Sequence, residues 1–182
     1  MGSGTTLVEA KLLSRNAVGV DINPQSVSIS ETNLQFQCES KSKIFTFNAN
    51  ASNLHFIKDG GVDFICTHPP YANIIKYSRG IEGDMSLLDV DGFLQQMQRV
   101  AEESYRVLKA GKKCAIMLGD IRRHGKVVPL GFSVMECFLQ VGFESKEIII
   151  KEQHNCCSAE YWKNQKRDFL LLAHEYIFVF EK

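Results

Sequence analysis

Hydrophobic residues recur along this chain at two spacings. Short runs rich in β-branched residues are typical of buried strands, and longer stretches with an apolar residue every three or four positions are typical of helices. The predicted strands cover Ala17–Val20, Ile44–Phe47, Val62–Cys66, Cys114–Leu118, Glu144–Lys151 and Phe169–Phe180, and the predicted helices cover Thr5–Ser14, Pro24–Gln37, Phe93–Leu108 and Leu130–Gln140. Their alternation predicts an α/β fold with a mostly parallel, doubly wound sheet. The last two strands follow each other without a helix, which predicts an antiparallel pair at the sheet edge.

Composition narrows the class of protein. The 182 residues, 45% of them hydrophobic, suffice for one domain, so we expect residues 1–182 to form a single unit. The six cysteines form no CxxC pair, and no apolar stretch approaches the roughly 20 residues that span a bilayer. A reduced, cytoplasmic protein without a membrane partner is expected. The 21 basic residues balance 21 acidic ones, which argues against a strong general attraction to nucleic-acid phosphates.

A glycine-rich loop, Gly2-Ser3-Gly4-Thr5, runs directly into the first predicted helix. Glycines let a backbone approach a ligand closely, and a helix N-terminus offers unpaired N–H groups. In a doubly wound sheet such a loop follows the first, central strand, yet here it begins at residue 2. We therefore expect the first strand to be missing from this chain or supplied by another polypeptide. Taken alone, the loop is equally typical of a glycine-rich tail.

Asp21 ends the second predicted element, 17 positions after Gly4. A carboxylate at this point suits the hydroxyl groups of a ribose in a nucleoside cofactor. The same residue is typical of an Asx turn that leads through Asn23 into the next helix. The two roles are compatible.

The strand Val62–Cys66 runs into Thr67-His68-Pro69-Pro70-Tyr71. Consecutive prolines fix φ and donate no N–H bonds, so their carbonyl groups are held in place as acceptors. The tyrosine ring offers a stacking surface for a base that has left the double helix. A rigid turn with a packed tyrosine has the same residues. Cys66, among apolar neighbours, predicts a core thiol without a chemical role.

Together these motifs resemble the S-adenosylmethionine-dependent DNA amino-methyltransferases, which act on N6 of adenine or N4 of cytosine. The similar segments are Met1–Thr6 for the cofactor loop, Gly19–Pro24 for the ribose-binding strand end, Thr67–Tyr71 for the catalytic loop, and Arg106–Lys112 and His174–Phe180 further along. The resemblance covers nearly the whole chain. It implies a Rossmann-like class I methyltransferase fold, S-adenosylmethionine as cofactor, and methyl transfer to an exocyclic amine of a base flipped from double-stranded DNA.

The resemblance also implies a role for each matching residue. Gly2, Ser3, Gly4 and Thr5 would shape the methionine pocket, Asp21 would hold the ribose hydroxyls, Asn50 and Ala51 would lie beside the adenine, and Thr67 would complete the cofactor site. The catalytic residues would be His68, Pro69, Pro70 and Tyr71.

Two positions depart from the family pattern. Asn50 stands where relatives usually have aspartate, and an amide both donates and accepts hydrogen bonds. His68 stands where most relatives have aspartate, asparagine or serine, which accept a hydrogen bond from the target amine. Neutral histidine can accept such a bond through one ring nitrogen, whereas the protonated form cannot. We therefore expect activity to fall as the pH drops through the pKa of His68.

Three later segments carry polar side chains of interest. The basic loop Gly119–Lys126 predicts phosphate contacts by Arg122, Arg123 and Lys126, although a solvated basic loop has the same composition. The segment Trp162–Arg167 is suited either to stacking on a base or to covering a hairpin. His154, Cys156 and Cys157 lack a second pair at ligand spacing, so no metal site is predicted.

Two alternatives stay open. The first is an RNA or protein amine methyltransferase, because a Pro-Pro-Tyr loop positions any planar amine in much the same way. The second is a truncated or split, non-catalytic domain that needs an N-terminal partner or a recognition subunit. We expect no separate target-recognition domain in this chain, and hence weak or no sequence-specific methylation by it alone. The residues do not distinguish adenine from cytosine, or indicate membership of a restriction–modification system.

Overall fold

The computed structural model describes residues 1–154 and 168–182. Its strands are β1 (Ala17–Asp21), β2 (Ile44–Asn48), β3 (Val62–Thr67), β4 (Leu108–Leu118), β5 (Ile121–Arg123), β6 (Lys126–Val128), β7 (Glu144–Glu152) and β8 (His174–Glu181). Its helices are α1 (Thr5–Leu12), α2 (Pro24–Asn33), α3 (Val90–Val107) and α4 (Leu130–Val141). Short 3-10 turns at Ala72–Ile74 and Met85–Leu87 join β3 to α3.

Two groups of strands make up the central layer. Strands β1 and β2 are parallel, and a second group has the order β3-β4-β8-β7. In that group β3 and β4 are parallel, while β8 runs antiparallel to both β4 and β7. The expected α/β class and the C-terminal antiparallel pair are confirmed. Strand β1 pairs only with β2, and β3 pairs only with β4, so each has one edge without a partner strand among the described residues. In this part of the chain the two groups of strands are therefore not hydrogen-bonded to each other.

Local chemistry explains where the helices begin and end. The side chain of Asn23 caps α2 by accepting from the backbone N–H of Gln25 at 3.0 Å, and Pro24 follows at the first helical position. Asp89 caps α3 through the N–H of Gly92. Helix α4 ends at Gly142, whose φ of 112° is a left-handed conformation that glycine adopts at little cost.

The core lies between α3, α4 and the larger group of strands. Helix α3 buries one stripe of residues spaced by three or four positions: Phe93, Met97, Val100, Ala101 and Ser104. These pack in one cluster with residues of α4 and the strands, among them Ile116, Leu118, Leu130, Val134, Phe138, Phe178 and Phe180. The cluster reaches Ala72, directly after the Pro-Pro-Tyr segment, and so anchors that loop.

Helix α1 ends at Leu12 instead of Ser14, α3 begins at Val90 instead of Phe93, and β4 begins at Leu108 instead of Cys114. Four other local predictions were wrong. Helix α2 ends at Asn33 instead of Gln37, and the ammonium group of Lys11 binds the freed carbonyls of Leu34 and Phe36 at 2.6 and 2.8 Å. The last strand begins at His174 instead of Phe169, and its ladder with β7 starts at the pair Glu152–His174.

The other two errors concern the site's surroundings. The segment predicted as a basic loop forms the hairpin β5–β6, which turns at His124 and Gly125 with positive φ values of 49° and 77°. Cys66 lies on β3 with its side chain exposed, so it is not a core thiol.

Candidate functional site

The glycine loop has a defined shape. Gly2 and Gly4 have positive φ values of 58° and 82°, and a Cβ on Gly4 would lie 2.8 Å from the Cβ of Ser30. The hydroxyl of Ser30 donates to the carbonyl of Gly2 at 2.9 Å, so α2 supports the loop. Helix α1 starts at Thr5 without a side-chain cap, which leaves the N–H groups of its first turn unpaired by a capping side chain. The loop therefore offers backbone donors and has no room for a side chain at Gly4.

Asp21 connects the end of β1 to this loop. One carboxylate oxygen accepts from the N–H of Gly2 at 2.9 Å and from the amino group of Met1 at 3.0 Å, and the other accepts from the N–H of Asn23 at 2.9 Å. The Asx turn into α2 is thus confirmed, while the ribose contact stays a prediction. Burial opposes ionisation, but the N–H donors of Asn23 and Gly2 and the nearby amino group outweigh it and lower the pKa of Asp21.

Asn50 lies beyond β2, and the segment around Gly83 covers it. Its side-chain oxygen accepts from the N–H and hydroxyl of Ser52, both at 2.9 Å. A Cβ added to Gly83 would lie 2.8 Å from the amide nitrogen of Asn50 and 3.1 Å from Cδ1 of Ile22. The amide nitrogen of Asn50 is therefore the group left to face a ligand, as a donor. Ala51 is partly buried against the core. The adenine contacts of these two residues stay predictions.

The His68–Tyr71 loop leaves the carboxyl end of β3, where Thr67 pairs with Ile116 of β4. Pro69 is buried, whereas the side chain of His68 is 45% exposed. The rings of His68 and Tyr71 meet edge to face, with 5.7 Å between their centroids. The loop therefore holds one polar, accessible ring on a rigid base.

The hydroxyl of Tyr71 is the centre of a hydrogen-bond network. It donates to the carboxylate of Glu175 on β8 and accepts from the N–H of Gly119 at 3.2 Å. Nε2 of His68 lies 3.3 Å from the same oxygen and 3.7 Å from Oε1 of Glu175. Lys151 on β7 pairs with the other carboxylate oxygen of Glu175 at 2.7 Å. Three separate segments of the chain therefore meet at one phenol group, and a fourth, β7, is connected to it through Glu175.

Glu175 was not identified from the sequence as a functional residue. The sequence contains one sign of a special role, since Glu175 is a charged residue next to the apolar run of β8. The structure shows that Glu175 is buried, with 6% of its surface exposed. Burial alone would raise the pKa of Glu175, but hydrogen bonds from Lys151, Tyr71 and Gln153 lower it to about 2. The carboxylate is therefore ionised at neutral pH. It raises the pKa of Tyr71, together with burial, so the phenol keeps its proton.

His68 is neutral at physiological pH. Burial lowers the pKa of His68 below the ordinary value of 6.5, Glu175 opposes this, and the positive charge of Lys151 adds to it. A neutral imidazole has one nitrogen that accepts a hydrogen bond, which is the property that the predicted role requires.

The three predicted phosphate-binding residues differ in their surroundings. The guanidinium of Arg122 donates to the carbonyls of Gly125 at 2.7 Å and Leu170 at 2.9 Å, and it stacks over Phe169. Arg123 donates to the side chain of Asn73, which connects the hairpin to the catalytic loop. Lys126 is exposed on β6. Arg122 and Arg123 thus hold the protein's own groups, and phosphate contact by all three stays a prediction.

An open groove of about 580 Å³ lies beside the site. It is formed by Asn23, Gln25 and residues 76–81, and the side chain of Asn23 donates to the carbonyl of Tyr77 at 3.3 Å. Lys76 and Arg79 in this lining are exposed. Cys156, Cys157 and the segment Trp162–Arg167 lie outside the described residues. No described helix is long and apolar enough to cross a membrane.

Comparison with known families decides the class of protein. A family model described as DNA methylase matches residues 62–182, about two thirds of the chain. This chain belongs to the DNA methylase family. A second model, an RMKL-like methyltransferase domain, matches residues 1–118 of the methyltransferase. The two matches overlap in β3, the catalytic loop and β4. No curated protein sequence matches the chain.

Solved structures agree with this assignment. A protein of Thermus thermophilus, described as a candidate DNA modification methylase and solved with S-adenosylmethionine, is 25% identical, with a TM-score of 0.55 over 74% of this chain and 53% of its own. An S-adenosylmethionine-dependent methyltransferase of Methanosarcina mazei, 14% identical, matches 100% of this chain and 88% of its own with a TM-score of 0.63. The cytosine-N4-specific PvuII DNA methyltransferase, 16% identical, matches 73% of this chain and 47% of its own with a TM-score of 0.59.

These neighbours confirm the Rossmann-like methyltransferase fold, and the Thermus structure contains S-adenosylmethionine. The chain spans about half of the length of the Thermus and PvuII proteins.

Proposed function

We propose that this methyltransferase transfers a methyl group from S-adenosylmethionine to the exocyclic amine of a DNA base, at N6 of adenine or N4 of cytosine. The observation that carries the proposal is the His68–Tyr71 loop at the carboxyl end of β3, tied to Gly119 at the end of β4 by the Tyr71 hydroxyl. Ligands of open α/β sheets bind at this edge. Membership of the DNA methylase family supports DNA as the class of substrate.

The residues of the glycine loop fit the cofactor. The space beside Gly2 is open, Gly4 packs directly on Ser30, and the uncapped start of α1 offers N–H donors suited to a carboxylate. Asp21 offers carboxylate oxygens for ribose hydroxyls, and Asn50 offers an amide donor beside it. Gly2, Ser3, Thr5, Ala51 and Thr67 would complete the binding site. The bound cofactor supplies an electrophilic methyl group on its sulfonium.

The chain's own residues then have to orient the amine and exclude water. Neutral His68 accepts a hydrogen bond from the amine and turns its lone pair toward the methyl group. Pro69 and Pro70 keep the loop rigid, because their rings fix φ. The ring of Tyr71 offers a face for the flipped base, while its hydroxyl is held by Glu175.

Contacts to the DNA backbone would come from the exposed cations around this edge. Lys126, Lys76 and Arg79 are exposed, and Arg122 and Arg123 lie on the same hairpin as Lys126. The net charge of the chain is zero, so such contacts are local. We infer that much of the grip on DNA, and its sequence preference, comes from another domain or subunit.

A second candidate is a split enzyme, and one observation favours it. The free edges of β1 and β3 face no strand in the described part of the chain, and Val18 and Phe64 on these strands are 44% and 57% exposed. Unpaired strand edges are sites for strand addition. A strand from an N-terminal partner would pair both edges and cover these side chains.

The test is a methyl-transfer assay with S-adenosylmethionine labelled in its methyl group. Unmethylated double-stranded DNA, structured RNA and a mixture of proteins are offered separately, and labelled nucleosides are identified by mass spectrometry. We expect weak labelling of DNA as N6-methyladenine or N4-methylcytosine, lost in His68→Ala and retained in His55→Ala, which removes an exposed histidine outside the site. Label in RNA or protein alone would refute DNA as the substrate.

A further inference from the structure

The phenol of Tyr71 has one proton and two lone pairs, and three neighbours share them. The carboxylate of Glu175 can only accept, so it receives the proton. The N–H of Gly119, 3.2 Å away, can only donate, so it uses one lone pair. Nε2 of His68 lies 3.3 Å from the phenol oxygen, and only the second lone pair of that oxygen is left for it. Nε2 can satisfy this contact only by donating a proton.

We propose that Glu175 is a positioning residue that acts through the Tyr71 hydroxyl to hold neutral His68 with its proton on Nε2, and so leaves Nδ1 as the acceptor. The inference rests on the proposed function in one respect, namely that the acceptor serves a target amine. The hydrogen-bond direction itself rests only on the contacts of Tyr71. A histidine accepts through only one ring nitrogen when neutral, so its tautomer has to be set by its surroundings.

The surroundings of Glu175 support this direction. Nε2 of His68 lies 3.7 Å from Oε1 of Glu175, so the negative charge favours a proton on that nitrogen. Lys151 holds Oε2 at 2.7 Å, which turns Oε1 toward Tyr71. The side chain of Glu175 is 8% exposed, so water competes little for these contacts.

Replacing Glu175 by glutamine should reverse the network. The shape of the side chain is kept, but it now carries one acceptor and one donor group. Lys151 can only donate, so it keeps the amide oxygen, and the amide of Gln153, which both donates and accepts, can follow either orientation. The NH₂ group is thus left facing Tyr71. The phenol oxygen then accepts from this group and from Gly119, and its own proton turns to Nε2 of His68. The histidine proton moves to Nδ1, which is then no longer an acceptor.

Nitrogen-15 NMR of the imidazole rings tests the proposal without any activity measurement. Long-range proton–nitrogen correlations distinguish the two neutral tautomers, recorded at about pH 8, above the ordinary histidine pKa of about 6.5. The chain has five histidines, and the His68 signals are those absent in His68→Ala. Glu181→Gln is the matched control, because Glu181 lies on the same strand and pairs with Lys113 and Lys146, away from Tyr71.

We expect the proton on Nε2 of His68 in the wild type and in Glu181→Gln, and on Nδ1 in Glu175→Gln. A wild-type proton on Nδ1, or the same tautomer in the wild type and Glu175→Gln, would overturn the proposal. If Glu175→Gln does not fold, Tyr71→Phe replaces it, and the fraction of His68 with its proton on Nε2 should fall, although the charge of Glu175 still favours that nitrogen. An unchanged fraction in Tyr71→Phe would show that Glu175 does not act through the Tyr71 hydroxyl and would overturn the proposal.

Kinetics separates this inference from the proposed function. Glu175→Gln should lower kcat for methyl transfer about 10-fold or more, the usual scale for loss of a positioned proton acceptor, while the Kd for S-adenosylmethionine stays unchanged. A wild type that shows the expected tautomer but methylates no DNA would refute the proposed substrate and leave the hydrogen-bond direction standing.

Discussion

The carboxylate of Glu175 accepts a hydrogen bond from the hydroxyl of Tyr71, a residue 104 positions earlier in the chain. This bond connects the catalytic loop after β3 to the last strand of the sheet. The loop therefore does not depend on its two prolines alone for its shape. Its orientation also depends on the pairing of β8 with β4 and β7.

Removing the Tyr71 hydroxyl should destabilise the fold. Tyr71→Phe keeps the ring but leaves the buried carboxylate of Glu175 and the N–H of Gly119 with one partner fewer. We expect a loss of about 1–3 kcal/mol in the free energy of unfolding, measured by urea denaturation. Tyr77→Phe is the control, since Tyr77 is 58% exposed, and it should change stability by less than about 0.5 kcal/mol. Equal effects of the two variants would contradict the role of the network.

Asp21 should be needed for cofactor binding. Asp21→Ala removes the acceptor for ribose hydroxyls and the contacts to Gly2 and Asn23. We expect the Kd for S-adenosylmethionine, measured by calorimetric titration, to rise about 10-fold to 100-fold, the scale of lost hydrogen bonds to a charged group. Asp59→Ala, which removes an exposed partner of Arg106, should bind as the wild type does. Unchanged binding by Asp21→Ala would remove the ribose role.

The two glycines of the cofactor loop should respond differently to alanine. Both have positive φ, so each variant carries a backbone strain of about 1–2 kcal/mol. Gly4→Ala also places its Cβ 2.8 Å from Ser30, whereas Gly2→Ala meets no atom within 4 Å. The melting temperature should therefore fall further for Gly4→Ala, and its cofactor affinity should fall with it. If Gly2→Ala has a lower melting temperature than Gly4→Ala, the packing of the loop on α2 is contradicted.

Methyl transfer should have an acidic limb set by His68. Burial and Lys151 lower the pKa of His68, with Glu175 opposing, so its neutral form persists below pH 6.5. Activity is present above this pKa and lost as the pH falls through it, because the protonated ring accepts no hydrogen bond. The rate measured against pH should thus decline only below about 6.5. His68→Asn, whose side chain does not titrate, should lack this limb. If the decline at low pH persists in this variant, a group other than His68 causes it.

The free edges of β1 and β3 should be visible in hydrogen exchange. Successive N–H groups of a parallel strand point to opposite sides, so about half of those in β1 and β3 have no ladder partner among the described residues. These should exchange rapidly, whereas β4, paired on both sides, should be protected. Protection of all amides in β1 and β3 of the isolated chain would contradict the open edges. Protection that appears only on adding a partner would support the split enzyme.

The sequence by itself determined the features that depend on neighbouring residues. The helix and strand periods, the Asx turn at Asp21 and the rigid His68–Tyr71 loop all follow from local chemistry, whereas the structure shows that Asn23 caps the next helix. The alternation of helices and strands along the chain was enough to predict an α/β fold, and the resemblance of the motifs to a known family implied a methyltransferase fold. A boundary set by pairing with a distant strand was missed: β8 begins at His174, which pairs with Glu152 at the end of β7.

Only the tertiary structure decided which distant side chains meet. Nothing near Glu175 in the sequence indicates that Tyr71 donates to it, or that Lys151 keeps it charged. Arg122 and Arg123, predicted to contact phosphates, form bonds to Leu170 and Asn73, 48 and 50 positions away. Such contacts arise from strand order and burial, which no local pattern specifies. The sequence therefore placed the histidine in the loop, and the fold decided which of its two ring nitrogens meets the Tyr71 hydroxyl.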